Sequence, residues 1–129
     1  MTFFTQYRQN KFKNKRTEFG GRIYASKLES SVAADLELAR HATNKKDKVV
    51  EIWPQHNIDI YLDGTTLTRK PTSNKLFRYI IDFKVQYADG RIEYVEAKGL
   101  AMALWRFKWK VTEAVLNAEE PEAVLRVIK

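Results

Sequence analysis

The chain has 129 residues, is 44% hydrophobic and 30% charged, and contains no cysteine, which suits one domain with its own core and excludes disulfides and thiolate metal sites. No apolar run is long enough to span a membrane and no signal-peptide pattern opens the chain, so a cytoplasmic location without a membrane partner is expected. The formal charge of +7 is uneven: residues 1–27 carry seven Lys or Arg against Glu18 alone, which divides the chain into a basic arm over residues 1–25 and a nearly neutral domain over residues 26–129.

Residues 1–20 read as irregular. Lys11, Lys13, Lys15 and Arg16 cluster beside Phe12, with Phe3, Phe4 and Tyr7 upstream. Such an arm is either an electrostatic footprint for phosphate, with aromatics that stack on bases, or a solvated terminus anchored by those aromatics. Gly20-Gly21 marks a turn, and residues 22–25 a short extended piece. Ser26 opens a predicted helix over residues 26–42 whose apolar face is Leu28, Val32, Leu36 and Ala39. Glu29 follows Ser26 by three residues, the spacing of a capping box.

Residues 49–53 read as a strand stopped by Pro54, and residues 58–62 as a second strand, with Gln55 and His56 between them. A lone histidine is more often a surface or hydrogen-bonded residue than a metal ligand. Residues 63–74, with Gly64, four threonines, Pro71 and Ser73, read as a long loop of the kind that is often functional. Arg69, Lys70, Lys75 and Arg78 there either contact phosphate or form a solvated turn.

The next stretch is the most informative. Tyr79-Ile80-Ile81-Asp82-Phe83 and Tyr94-Val95-Glu96-Ala97-Lys98-Gly99 are rich in β-branched and aromatic residues and flank Ala88-Asp89-Gly90-Arg91, a hairpin signal. The hairpin is predicted over residues 77–98. A two-residue loop would put Asp82 opposite Ala97 and Glu96 on the other face. A three-residue loop with a left-handed Gly90 pairs Tyr87 with Arg91 and Asp82 with Glu96. Only the second register sorts Ile81, Phe83 and Val85 with Val95 and Ala97, so hydrophobic sorting itself predicts that Asp82, Glu96 and Lys98 share a face. Charge among such apolar residues is costly unless it is paired or binds a metal. Two carboxylates opposed across a ladder stand near the separation at which one hard cation, Mg²⁺ or Mn²⁺, is shared. The competing reading is an Asp/Glu–Lys ion pair without chemistry.

A final helix is predicted over residues 101–117. Leu100, Leu104, Phe107, Val111 and Ala114 line one side of it, Met102, Trp105 and Trp109 another, so two sides need covering, one by the sheet and one by the arm or a second subunit. Arg106, Lys108 and Lys110 are left for solvent or DNA. Residues 123–128 read as a last strand. The fold class is α/β or α+β, with a mixed central sheet flanked by helices.

An acid, a hairpin, then acid-any-lysine resembles the motif of the PD-(D/E)XK nucleases, which include type II restriction enzymes and phage-type Holliday-junction resolvases. Ile81 stands where the formal motif has proline. More closely, Asn14-Lys15-Arg16-Thr17-Glu18, Tyr24-Ala25-Ser26-Lys27-Leu28-Glu29, the Asp82 strand and Val95-Glu96-Ala97-Lys98-Gly99 resemble small phage-encoded endonuclease I-like proteins, in patches over about residues 11–115. The resemblance implies a restriction-endonuclease-like αβββαβ core and a homodimer that cuts DNA, branched DNA included, in the host cytoplasm. It implies Mg²⁺ or Mn²⁺ held by Asp82, Glu96 and the Ala97 carbonyl, with Glu29 reaching the metal through water and Lys98 as the remaining catalytic residue. Lys11, Lys13, Lys15, Arg16, Arg69, Lys70, Arg106 and Lys108 are then the expected nucleic-acid contacts. The alternative is a non-catalytic nucleic-acid-binding module on the same fold.

Overall fold

The computed structural model describes residues 17–19, 22–24, 26–99 and 102–129. The arm's Lys11, Lys13, Lys15 and Arg16 lie outside these. A small antiparallel pair, β1 (Thr17–Phe19) and β2 (Arg22–Tyr24), comes first, with Phe19 facing Arg22; the turn expected at Gly20-Gly21 lies outside the described residues. The extended piece after the glycines is therefore one half of a pair, whose other half had read as irregular.

Helix α1 (Lys27–Ala39) starts at Ser26, whose Oγ accepts the Glu29 N–H at 3.1 Å. It ends three residues earlier than its periodicity suggests. Of the expected apolar stripe, Val32 and Leu36, joined by Ala33 and flanked by the half-buried Ala39, pack on Val49, Phe83, Val85 and Val95 of the sheet, while Leu28 is half-buried outside that cluster.

The sheet has five strands in the order β4–β3–β5–β6–β7. Strand β3 (Val49–Asp63) runs unbroken through Pro54, so the two predicted strands are one. A proline is tolerated here because β4 (Thr66–Thr68) covers β3 only at Tyr61, Leu62 and Asp63. The outer edge of β3 at Pro54 has no partner strand among the described residues, and a missing N–H on an open edge costs no ladder bond.

The predicted loop over residues 63–74 is largely ordered by β4 and by side chains. Thr68 Oγ1 donates to Glu119 at 2.7 Å, and Thr72 Oγ1 donates to the Leu62 carbonyl at 2.9 Å. A run of threonines reads as a loop by composition, but the carboxylate that fixes it lies about fifty residues away in sequence.

Strands β5 (Lys75–Tyr87) and β6 (Ile92–Ala97) form the central hairpin in the three-residue register: Phe83 faces Val95, Val85 faces Glu93, and Tyr87 N–H donates to Arg91 O at 3.0 Å. Gly90 has φ +93°, a conformation that side chains with a Cβ rarely adopt. Helix α2 (Ala103–Glu119) follows and leads to β7 (Val124–Ile128), which pairs parallel to β6. The side of α2 that meets the sheet carries Trp105, Trp109 and Leu116, which pack with Ile58, Ile60, Tyr79, Ile81 and Tyr94. Leu104 and Phe107 are each 65% exposed, and Met102 also faces outward.

The two cores exchange partners along β3 and β5. Val49 and Ile52 of β3, and Phe83, Val85 and Tyr87 of β5, belong to the core under α1. Further along the pair, Ile58 and Ile60, and Tyr79 and Ile81, belong to the core under α2. The parity of burial along β5 never changes. What changes is the helix it faces, between Ile81 and Phe83 on one strand and between Ile52 and Ile58 on the other. Gln55, at the same level, has φ +53°, the one non-glycine residue with positive φ among those described. Gln55 and Asp82 are also the positions at which the β3–β5 pairing skips.

The hairpin makes a direct prediction. Nothing lies within 4 Å of a Cβ built at Gly90, so Gly90→Ala introduces backbone strain and no clash. It is expected to cost about 1–2 kcal/mol in chemical denaturation while the far-ultraviolet spectrum is kept. An unchanged midpoint would mean that the loop does not need its left-handed residue.

Candidate metal and catalytic site

The hydrogen-bonded ladder between β5 and β6 stops at Phe83 and Val95. In that register Asp82 and Glu96 come next, and Ile81 would exchange backbone bonds with Ala97 after them. Instead the side chains take over. Ala97 N–H donates to Asp82 Oδ2 at 2.8 Å, and Asp82 N–H donates to Glu96 Oε1 at 3.2 Å. The strands part where the carboxylates begin, and each strand's peptide N–H binds the other strand's acid. Glu96 is buried, at 4% exposure, while Asp82 keeps an opening to solvent.

Glu96 Oε2 is held from the α2 side. It accepts the Tyr79 hydroxyl, and Trp105 Nε1–H is shared between Glu96 Oε2 at 3.0 Å and Tyr79 Oη at 2.6 Å. Burial and the neighbouring Glu96 push the Tyr79 hydroxyl far above its ordinary value, so Tyr79 remains a donor.

Glu29 is also buried, and its Oε2 accepts Gln55 Nε2 at 2.6 Å. Its N–H is half of the predicted capping box, while its carboxylate is turned toward β3 at the skipped position. The cap and an approach to the acids thus coexist in one residue. Asp82 feels both neighbours: burial first, then the charges of Glu96 and Glu29, raise its carboxyl to about 9, against a smaller lowering by the Ala97 N–H.

Lys98 sits just beyond β6, its N–H donating to Ile128 O at 2.8 Å. Its Nζ lies over the Trp105 ring, 5.5 Å from the centroid. Among the described residues no Lys or Arg forms an ion pair with Asp82 or Glu96. The Asp/Glu–Lys ion pair weighed from the sequence is not what holds Lys98. Two adjacent acids, one of them buried and, among the described residues, neither paired with a basic side chain, suit a hard cation with oxygen ligands. Among the described residues no cluster of three or more His, Asp or Glu side chains is arranged around one ion position. A cation here would therefore take its protein ligands from two carboxylates and a backbone oxygen such as that of Ala97.

Comparison with protein families, with curated proteins and with solved structures gives no match for this chain.

The other candidate contacts divide sharply. Arg69 is paired with the end of α2, with Nε 2.8 Å from Glu119 and Nη1 2.5 Å from Glu120. Lys75 and Arg78 both pair with Asp59, at 3.2 and 2.7 Å. Lys70 and Arg106 are exposed, while Lys108 is half-buried with Nζ over the Phe77 ring at 5.7 Å. His56 lies near the Tyr94 ring, and burial followed by the charge of Lys84 lowers its pKa, which keeps it neutral.

Three residues at the site were not singled out for it from the sequence: Gln55, Tyr79 and Trp105. Tyr79 and Trp105 read as apolar bulk by periodicity. The available signal was their polar atoms, since a buried Tyr O–H or Trp N–H finds a partner.

The raised carboxyl gives a pH dependence of stability. The folded protein keeps a proton on Asp82 that the unfolded chain gives up near the ordinary value of 3.8. That stabilisation is complete below the unfolded value and is lost as pH rises through the folded one. In chelator, the unfolding free energy is therefore expected to fall from about pH 4 toward pH 9. Asp82→Asn should remove most of that slope and stabilise the protein at pH 8 by at least about 1 kcal/mol. Denaturant titrations across pH on both proteins measure this, and parallel profiles would show that Asp82 is not the strained acid.

Proposed function

We propose that this chain is a metal-dependent endonuclease that hydrolyses DNA phosphodiester bonds, with branched DNA such as a four-way junction as its substrate. The observation that carries the reading is the pair Asp82 and Glu96 at the parted end of β5 and β6, cross-bonded through backbone N–H groups and, among the described residues, without an ion pair to Lys or Arg. The order α1, β3, β4, β5, β6, α2, β7 supports it, because apart from the three-residue edge strand β4 it follows the αβββαβ sequence of elements in the nucleases that the motif resembles.

Asp82 and Glu96 supply hard oxygen ligands for Mg²⁺ or Mn²⁺. When bound, such an ion lowers the pKa of its water and polarises the scissile phosphate. Lys98 brings a positive charge along the same strand, held on an indole face instead of neutralised by the acids. Its role is to stabilise charge that develops at phosphorus or to orient the attacking water. Glu29 adds negative charge beside Asp82. The exposed Met102, Leu104 and Phe107 offer a surface for the second copy that cutting two strands requires. The basic arm, with Lys70, Arg106 and Lys108, supplies phosphate contacts. A second reading, a nucleic-acid-binding module without catalysis, is favoured by one observation: among the described residues no three acidic or histidine side chains gather around one ion position.

Incubation with a four-way junction, a linear duplex and a single strand, with and without Mg²⁺, separates the two readings. Asp82→Asn is expected to abolish cleavage with the fold intact and metal-free DNA affinity unchanged or higher. Lys98→Ala should keep metal binding and lower turnover by about 10²–10⁴-fold. Wild-type protein that binds the junction and never cuts it would establish the binding module.

The arm should add affinity without sequence choice. Replacing Lys11, Lys13 and Lys15 by Ala is expected to flatten the dependence of log K on log salt by roughly 0.9 for each lysine that contacts phosphate. An unchanged slope would remove these lysines from the interface.

A further inference from the structure

Glu96 is the most enclosed of the proposed ligands, and its surroundings are specific. Oε1 faces the Asp82 N–H, and Oε2 accepts from Tyr79 and Trp105. A carboxylate gripped at both oxygens by three donors cannot turn about its terminal bond without leaving a buried donor unsatisfied, which is costly. The donors on Oε2 are themselves fixed. Trp105 stacks on Trp109, with ring centroids 6.2 Å apart and planes at 4°, and Tyr79 packs against the same Trp109 at 5.5 Å. Trp109 is 6% exposed in the core under α2.

Trp105 serves a second residue as well. Its N–H edge meets Glu96, while its face carries the Lys98 ammonium at 5.5 Å. Glu96 and Lys98 lie two residues apart at the end of one strand, where an ammonium on a flexible stem would otherwise reach back to the acid. The half-buried indole face is a competing site for that ammonium.

We propose that Trp105, together with Tyr79, is the positioning pair of the Asp82–Glu96 cation site: it fixes the Glu96 carboxylate for a divalent ion and keeps Lys98 from neutralising it. This rests on reading Asp82 and Glu96 as a cation site. Neither aromatic touches substrate, and both act through Glu96 and Lys98. The pair also couples α2 to the site, because Met102 makes no side-chain cap bond at the start of that helix and Trp105 lies in its first turn.

The test uses Mn²⁺ as the probe, in the full chain, without DNA. Calorimetric titration of the wild type, Asp82→Asn, Tyr79→Phe and Trp105→Phe compares affinities, with melting curves run in parallel. Tyr79→Phe removes one oxygen and no packing. Trp105→Phe keeps a ring for Lys98 and removes the N–H. Each is expected to weaken Mn²⁺ binding about 10–100-fold, the usual effect of losing a hydrogen bond to a metal ligand. Bound Mn²⁺ should also quench tryptophan emission in the wild type, and Trp105→Phe should lose most of that quenching while Trp53 and Trp109 remain. Wild-type protein without an Asp82-dependent Mn²⁺ site would remove the underlying reading and this inference together. Wild-type binding with undiminished affinity in a folded Tyr79→Phe would overturn the positioning role alone and leave the cation site standing.

Discussion

Buried negative charge at one level of the sheet is the constraint on which the rest of this structure turns. Asp82 and Glu96 lie side by side where ladder bonds would otherwise continue, and the backbone answers by giving up those bonds to bind the carboxylates. The desolvation cost of an acid is reduced by N–H donors, which both carboxylates have, and by holding a proton, which burial and the neighbouring charge of Glu96 favour at Asp82. The strand pairing of β3 skips at the same level, Gln55 takes a left-handed conformation there, and the two hydrophobic cores exchange partners there. Strain of this kind persists only where the surroundings over-determine it, and it collects at working sites. The two cores supply that rigidity on either side.

Helix α2 is fastened at both ends by polar contacts. Near its start the Trp105 N–H reaches the sheet. Near its end Glu119 and Glu120 gather Thr68, Arg69 and the Tyr94 hydroxyl, the last at 2.5 Å. The carboxylates at the C-terminal end do not complement the helix dipole. Burial opposes their charge, and hydrogen bonds from Arg69, Thr68 and Tyr94 hold both acids below the usual carboxylate range. The lock also explains why a threonine-rich segment with the composition of a loop is a strand and a set of bonded turns.

Much of the candidate site was legible because it depends on parity. Alternation along two strands, with one glycine between them, leaves a single register that sorts Phe83 and Val85 with Val95 and Ala97 and brings Asp82 level with Glu96; Ile81, expected on the same side, packs under α2 instead. The helix stripe of Val32 and Leu36 was legible for the same reason. Long-range partners were not. Pro54 looks like a strand end unless the neighbouring edge is known to be open. Arg69 looks free until Glu119 and Glu120 are brought to it. For α2, the Leu104–Phe107 side and the Trp105–Trp109 side are equally apolar, and what selects the second is that an indole N–H can reach a buried carboxylate. Composition does not distinguish a side chain that fills space from one that fills space and also donates.

The positive φ at Gln55 in β3 has a consequence for the molecule's company in solution. Outside Tyr61, Leu62 and Asp63, the outer edge of β3 has no strand beside it among the described residues. An open edge of that length invites another chain to add a strand and begin a stack. Pro54 offers no N–H at its position, and Gln55, at φ +53°, turns the backbone out of the extended line that an incoming strand would follow. One level of β3 thus combines a conformation that faces the acids through Gln55 and Glu29 with an edge that lacks the backbone geometry and the N–H an added strand would use.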